Sequence, residues 1–115
     1  MKSRFVVIGL GRFGSAVAKT LAEKGAEVMA IDQNEEAVST LADHVALAVA
    51  MDASDIKALR SHNIDEMDAA IVAIGTNFES ELLVIVNLMD LGVPRIIARA
   101  MNQTQRSILE KIGIK

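Results

Sequence analysis

The sequence contains no cysteine, tryptophan or tyrosine, and aromatic residues make up only 3% of its 115 residues. Without cysteine the chain can form no disulfide, no thiolate nucleophile and no zinc site with cysteine ligands, a composition compatible with a cytoplasmic protein. Too few aromatic side chains are present for a platform that stacks single-stranded bases. The net charge of −3 and the lack of a basic run also argue against a nucleic-acid partner.

No apolar run approaches the roughly 18 residues that a membrane-spanning helix needs. Residues 1–4 lead straight into a strand-like segment rather than into the core of a signal peptide. The length is sufficient for one domain and too short for two. Hydrophobic residues make up 51% of the chain, which is typical of a parallel sheet covered by helices on both faces.

The sequence is organised around a glycine-rich turn, GLGRFG at residues 9–14. A strand-like FVVI precedes it and a helix-like SAVAKTLA follows it, the context in which GxGxxG is typical of a nucleotide site. Gly9 is expected to permit the tight turn, Gly11 to let a pyrophosphate approach the backbone, and Gly14 to let the helix pack closely. The first amides of that helix and its dipole favour phosphate. The alternative is a turn with a structural role only.

Asp32 is the acidic partner of this turn. It follows the strand-like segment at 27–31 and lies about 18 residues after Gly14, near the spacing of about 20 that this fold requires. Its carboxylate is predicted to accept hydrogen bonds from both ribose hydroxyls of an adenosine and to repel the 2′-phosphate of NADP. The alternative role is an N-cap of the next helix.

The chain alternates between strand and helix patterns. Strands are predicted at about residues 4–8, 27–31, 45–50, 69–74 and 95–99, and helices at about 12–24, 34–42, 54–61, 78–91 and 102–112. Asn34 and Ser54 are expected to begin the second and third helices. Such alternation predicts right-handed βαβ units and an α/β fold, a Rossmann-type doubly wound parallel sheet of strand order 3-2-1-4-5 with flanking helices. Ligand should then bind at the carboxyl ends of strands one and four.

The carboxyl ends of the strands supply the remaining candidate binding residues. They are Gln33, Asp52, Ala53, Gly75, Thr76, Asn77 and Arg99. Asp52 and Ala53 are predicted to lie beside an adenine, where the Asp52 carboxylate would accept a hydrogen bond from the exocyclic amine. An equally good alternative is that Asp52 supplies a negative charge at the N-terminus of the third helix. Gly75 would let the end of strand four approach the ligand. Thr76 or Asn77 would bond ribose or phosphate, although Asn77 serves almost as well as a helix cap.

Two arginines are candidates for phosphate contacts. Arg12 lies inside the glycine turn next to Phe13, and its guanidinium can pair bidentately with phosphate oxygens. The alternative is a solvated side chain on the first turn of the helix. Arg99, at the end of strand five, is predicted to reach phosphates or a partner chain, with a surface ion pair as the alternative.

No catalytic residue and no metal site are predicted. His44 and His62 fall away from the carboxyl side of the sheet, and no cysteine or tyrosine is available as a proton donor or nucleophile. Glu79 and Glu81 begin the fourth helix, where acids suit the helix dipole and are expected to be structural, with a cation or ligand contact as the alternative.

Several motifs together resemble the N-terminal RCK domain, also called KTN or TrkA-N, of potassium-transport regulators. They are FVVIGLGRFG at 5–14, Asp32, the Asp-Ala-Ser turn at 52–54, AIGTN at 73–77 and ILEKIG at 108–113. The chain is most similar to the gating subunits of Ktr-type potassium uptake systems, and the resemblance covers nearly all of it. Many members have glycine before the Asp-Ala-Ser turn, whereas this chain has Met51, which affects the expected adenine pocket.

The resemblance implies a cytoplasmic regulatory subunit and not an enzyme. It implies that residues 1–115 are one nucleotide-binding lobe that binds NAD(H) or ATP/ADP, and a fragment of a longer protein without its C-terminal lobe. It also implies a homodimer that assembles into an octameric ring beneath a membrane potassium-translocating subunit. In the family the position of Arg12 contacts phosphates, often across a dimer, and those of Asp32 and Asp52 hold ribose and base. The rivals are the cofactor domain of an NAD-dependent oxidoreductase and an assembly domain with a vestigial site.

Overall fold

The computed structural model describes residues 2–75 and 77–114. Its strands are β1 (Arg4–Ile8), β2 (Glu27–Asp32), β3 (Leu47–Ala50), β4 (Ala69–Val72) and β5 (Ile96–Ala98). Its helices are α1 (Arg12–Glu23), α2 (Glu35–Leu41), α3 (Ile56–Arg60), α4 (Phe78–Asp90) and α5 (Gln103–Lys111), with a 3-10 turn at Ile64–Glu66 before β4. None of these helices has the length and apolar character needed to cross a bilayer.

The five strands form one parallel sheet in the order β3-β2-β1-β4-β5. This confirms the predicted fold class and strand order. β1 is the central strand, where Phe5 lies opposite Val28 of β2 on one side and opposite Ala69 of β4 on the other. Because every strand runs in the same direction, all carboxyl ends meet at one edge, and the order reverses between β1 and β4.

The sheet separates two hydrophobic cores. Successive side chains of a strand point to opposite faces, so Val7 packs with the residues of α1 and α2, whereas Val6 and Ile8 pack with those of α3, α4 and α5. Val6 and Val7 are fully buried, and the apolar positions of β2 and β4 around them are buried as well. Burial of each such side chain stabilises the fold by about 1.5–3 kcal/mol. The rigid sheet therefore fixes the positions of the loops at its carboxyl edge.

Three helices begin at asparagine caps, and one begins later than predicted. Asn34 caps α2 as expected, and asparagines at the same position begin α4 and α5. The prediction that Ser54 caps the third helix is wrong, because the Asp55 carboxylate accepts from the Lys57 amide at 3.0 Å and α3 begins at Ile56. Ser54 instead donates its amide and its hydroxyl to Asp52.

The third, fourth and fifth strands are each shorter than predicted. β3 begins at Leu47, β4 ends at Val72, and β5 covers only Ile96–Ala98. Beyond β4 the apolar pattern continues because Ala73, whose amide still donates to the Ile8 carbonyl oxygen at 2.7 Å, and Ile74 line a cleft at the edge of the sheet.

Candidate functional site

A cleft of about 500 Å³ opens at the carboxyl edge of the sheet, over the switch point between β1 and β4. Small-molecule sites typically occupy about 300–1,000 Å³. The predicted binding residues that line the cleft are Gly9, Gly11, Asp32, Gln33, Asp52, Ala53, Gly75 and Asn77. The fold thus brings together side chains and turns from four separate loops, and their roles in binding stay predictions.

Two glycines of the turn are required by the fold itself. Gly9 has a φ of +99°, and a Cβ there would lie 2.8 Å from the carbonyl oxygen of Ala73. A Cβ on Gly14 would overlap the carbonyl oxygen of Gly9. These two positions let the turn lie against β4 and let α1 start directly above the turn, as the sequence predicted.

Two other glycines border open space. A Cβ built on Gly11 or on Gly75 would meet no atom of the described residues within 4 Å, and neither glycine has the positive φ that excludes side chains. Packing and backbone conformation therefore do not demand glycine at either position. Both line the cleft, where the missing side chains leave room for a ligand next to the backbone.

The amino-terminal end of α1 borders this room through Gly11. Gly11 is the N-cap of the helix, and its carbonyl accepts from the Ser15 amide at 2.9 Å. The amides at the cap and in the first turn of an α-helix have no partner within the helix, and here they belong to residues 11–14. With the positive end of the helix dipole they provide a site suited to phosphate.

Asp32 is fixed at the rim of the cleft by two backbone amides. The Leu10 amide donates to Oδ2 at 2.7 Å, and the Asn34 amide donates to Oδ1 at 2.8 Å. A carboxylate has about four acceptor positions, so each oxygen keeps one for a further donor such as a ribose hydroxyl. The side chain that caps α2 is Asn34, so capping does not account for Asp32.

Asp52 lies across the cleft in a tight turn. Hydrogen bonds from the Ser54 hydroxyl, at 2.7 Å, and then from the Ser54 amide, at 2.9 Å, lower the pKa of the Asp52 carboxyl, and the Gln33 side chain adds a smaller effect. The group is therefore ionised at neutral pH and can only accept hydrogen bonds. Met51 also lines the cleft.

One face of α4 closes the remaining side of the cleft. Asn77 caps the helix by accepting from the Ser80 amide at 3.1 Å, so its predicted capping role is present in the structure. Ser80 and Val84 also line the cleft, and sequence reasoning missed both. Their helical spacing from Asn77 was the available signal. The prediction for Thr76 lies outside the described residues.

The two candidate arginines and Phe13 lie outside this lining. Arg12 is exposed and borders a separate groove between α1 and α2. Phe13 is 43% exposed, and the guanidinium carbon of Arg99 lies 4.9 Å from the centre of its ring. Arg99 therefore makes a cation–π contact that the sequence did not predict, and contacts of Arg12 and Arg99 with phosphate stay predictions.

Neither histidine lines the cleft. His62 borders a groove at the opposite, amino edge of the sheet, where its Nδ1 lies 3.0 Å from the Ala58 carbonyl oxygen. His44 is exposed after α2. Within the described part of the chain, the residues lining the cleft include no histidine or lysine.

The chain is similar in sequence to proteins that are named for potassium uptake. A profile of the TrkA-N domain matches residues 5–115. The Ktr system potassium uptake protein C of Bacillus subtilis is 42% identical over 113 residues, covering 98% of this chain and 51% of that protein. The Ktr system potassium uptake protein A of the same organism is 41% identical over 110 residues, covering 96% and 50%. The chain spans about half the length of these curated relatives.

Solved structures share the fold at lower identity. The NAD(P)-binding domain of an exopolyphosphatase-related protein from Archaeoglobus fulgidus has a TM-score of 0.86 at 23% identity, covering 99% of this chain and 85% of that one. The AMP-bound Kef CTD of Shewanella denitrificans has a TM-score of 0.79 at 20% identity, covering 98% and 69%. The GsuK channel bound to NAD has a TM-score of 0.82 at 12% identity, covering 99% and 21%.

Proposed function

The chain belongs to the TrkA-N domain family, and on that premise we propose that it is the nucleotide-binding domain of a regulatory subunit that gates a membrane potassium transporter. The family match spans residues 5–115, and two relatives with 41% and 42% identity are named for potassium uptake. Because the chain corresponds to about half of those relatives, we propose that it is the amino-terminal lobe of a longer subunit. This subunit would act at the cytoplasmic face of the membrane, beside its transporter.

The observation that carries the proposal is the open space at Gly11 and Gly75. The fold does not require glycine at either position, yet both face the cleft between the free amides of α1 and the carboxylate of Asp32. A phosphorylated adenosine fits this arrangement of charges. Its phosphates would lie against the amides of residues 11–14, and its ribose hydroxyls would donate to Asp32.

The proposed ligand is an adenine nucleotide, either NAD(H) or ATP/ADP. Proteins with the same fold occur with AMP and with NAD, which supports the class of ligand. The ionised Asp52 would accept from the exocyclic amine of adenine, with Gln33 and Ala53 beside it. Thr76 and Asn77 would reach ribose or phosphate from the start of α4.

Isothermal titration calorimetry tests this assignment with AMP, ADP, ATP, NADH and NADPH. Wild type is expected to bind at least one of the first four and to bind NADPH more weakly than NADH. Asp32→Asn should weaken binding of the adenine nucleotides about tenfold, or about 1.4 kcal/mol, and should reduce the preference for NADH over NADPH. Absence of heat with all five ligands would refute the assignment.

Gating would follow from ligands that differ in phosphate number or charge. A ligand shifts a conformational equilibrium only by its different affinities for the two states. Arg12 and the amides of the glycine turn would respond to that difference and change the relative orientation of paired domains. The proposed assembly is a homodimer that builds a ring against the potassium-translocating subunit.

Arg12→Ala separates the proposed sensing role from simple binding. If Arg12 contacts the terminal phosphates, the variant should lose affinity for ATP while keeping that for AMP. Equal affinity of variant and wild type for ATP would remove Arg12 from the sensing role. The experiment is best done at the protein concentration where the dimer forms, because Arg12 borders a different groove and does not line its own cleft.

The site favours binding over catalysis. Among the described residues, the cleft lining provides two carboxylates, amides, hydroxyls and apolar side chains, and neither histidine is part of it. Asp32 is already engaged by two amides and Asp52 by Ser54. We therefore propose a regulatory role and not an enzymatic one.

A further inference from the structure

Asn87 lies on α4, outside the lining of the cleft, and joins this helix to the turn at residues 52–55. Its Nδ2 donates to the Ser54 carbonyl oxygen at 2.9 Å and to the Ala53 carbonyl oxygen at 3.2 Å. Both partners are carbonyls, which only accept, so the nitrogen of the side-chain amide must face them. One side chain thus forms hydrogen bonds with two consecutive peptide groups that lie 34 and 33 residues earlier in the sequence.

The other hydrogen bonds within this turn fix its conformation and do not attach it to the rest of the fold. The Asp55 amide donates to the Asp52 carbonyl oxygen at 3.0 Å, and Ser54 donates twice to the Asp52 carboxylate. Just before the turn, the Met51 amide donates to the Asp32 carbonyl oxygen at 3.0 Å. The turn is therefore attached to β2 at its start and to α4 through Asn87 at its middle.

We propose that Asn87 is a positioning residue for base recognition, an inference that rests on the proposed nucleotide site. By donating to the carbonyls of Ala53 and Ser54, it holds the turn in the position that lets the Asp52 carboxylate contact the base. An ionised carboxylate accepts from the exocyclic amine of adenine but repels the carbonyl oxygen that guanine presents at the same position. Asn87 therefore sets the preference for adenine without touching the nucleotide.

The test uses Asn87→Asp and Asn87→Leu with ADP and GDP in calorimetry. Asn87→Asp keeps the shape but places an oxygen against two carbonyls, and Asn87→Leu keeps the bulk without a donor. Both are expected to bind ADP about tenfold more weakly and GDP within about twofold of wild type, so the preference for ADP decreases. Asp90→Asn, an exposed position on the same helix, is the matched control and should behave as wild type.

A second readout in the free protein is amide hydrogen exchange, which should become faster at residues 53–55 in both variants. Unchanged ADP affinity in the variants, or an equal loss of affinity for ADP and GDP, would overturn the role of Asn87. An unchanged exchange rate at residues 53–55 would overturn it as well. Wild type that binds ADP with no preference over GDP would also overturn it. If wild type binds no adenine nucleotide at all, the proposed function itself is refuted, and the inference with it.

Discussion

The Glu81 side chain is only 2% exposed, and its Oε2 accepts no hydrogen bond from the described residues. Burial raises its pKa from 4.5 to about 7, because the charged form loses its hydration. The native state therefore holds a proton on Glu81 at pH values where the unfolded chain has released it. Consequently the free energy of unfolding decreases as the pH rises from about 4.5 to about 7 and then levels off.

Glu81→Gln should remove this dependence. The variant is expected to be more stable than wild type by on the order of 3 kcal/mol at pH 8 and to match it at pH 4. Urea denaturation at the two pH values measures the difference. Glu79→Gln is the control, because Glu79 is exposed on the same turn and should show no such change. The same stability difference at both pH values would contradict the buried-proton account.

The sequence showed that Asp32 belongs to the cleft but not that Glu81 is buried. Asp32 could be located because its spacing from the glycine turn is set by the length of one βαβ unit. The sequence predicts Glu81 to be a structural acid that suits the dipole at a helix start, which says nothing about its burial. Apolar residues occur almost all round α4, so the face that packs on the sheet, with Val84, Ile85 and Leu88, could not be identified from periodicity.

Within the glycine turn, two similar substitutions should affect different properties, one the stability of the protein and the other its affinity for the nucleotide. Gly14→Ala should destabilise the protein by about 1–3 kcal/mol, because the new methyl group overlaps the Gly9 carbonyl. Gly11→Ala enters open space and should cost no more than about 1 kcal/mol, the loss of a favoured N-cap residue, while weakening adenine-nucleotide binding at least tenfold. Thermal unfolding and calorimetry on both variants distinguish the two cases. A Gly11→Ala variant that binds like wild type would place the phosphates elsewhere.

The start of α3 illustrates what local sequence leaves undetermined. Asp52, Ser54 and Asp55 are all good cap residues within four positions. The structure uses each differently: Asp55 caps the helix, while Asp52 and Ser54 bond each other. Asn87 of α4 also donates to the carbonyls of Ala53 and Ser54 in this turn, and a contact between residues this distant in sequence cannot be deduced from local pattern. The βαβ alternation, in contrast, was sufficient for the strand order.

At the scale of the whole molecule, α4 presents an apolar stripe to solvent. Leu83, Val86 and Met89 are 51%, 47% and 45% exposed, and their spacing places them along one side of the helix. An exposed apolar patch of this kind is typical of a protein interface. It is the surface on which the proposed homodimer would form.

Substitution of this stripe should separate the copies. Wild type is expected to sediment as a dimer, and the double variant Leu83→Glu/Met89→Glu as a monomer, because two charges per chain would have to be buried without partners. Analytical ultracentrifugation measures this. Ser39→Glu, on the exposed side of α2, is the control and should remain a dimer. A double variant that still dimerises would show that another surface is used.

The two amides that hold Asp32 have a kinetic consequence. Its carboxylate is already locked in one rotamer by Leu10 and Asn34 before any ligand arrives, so little side-chain entropy remains to be lost on docking. Capture of the sugar should then proceed in a single bimolecular step whose observed rate increases linearly with ligand concentration, without the plateau that a slow rearrangement would impose.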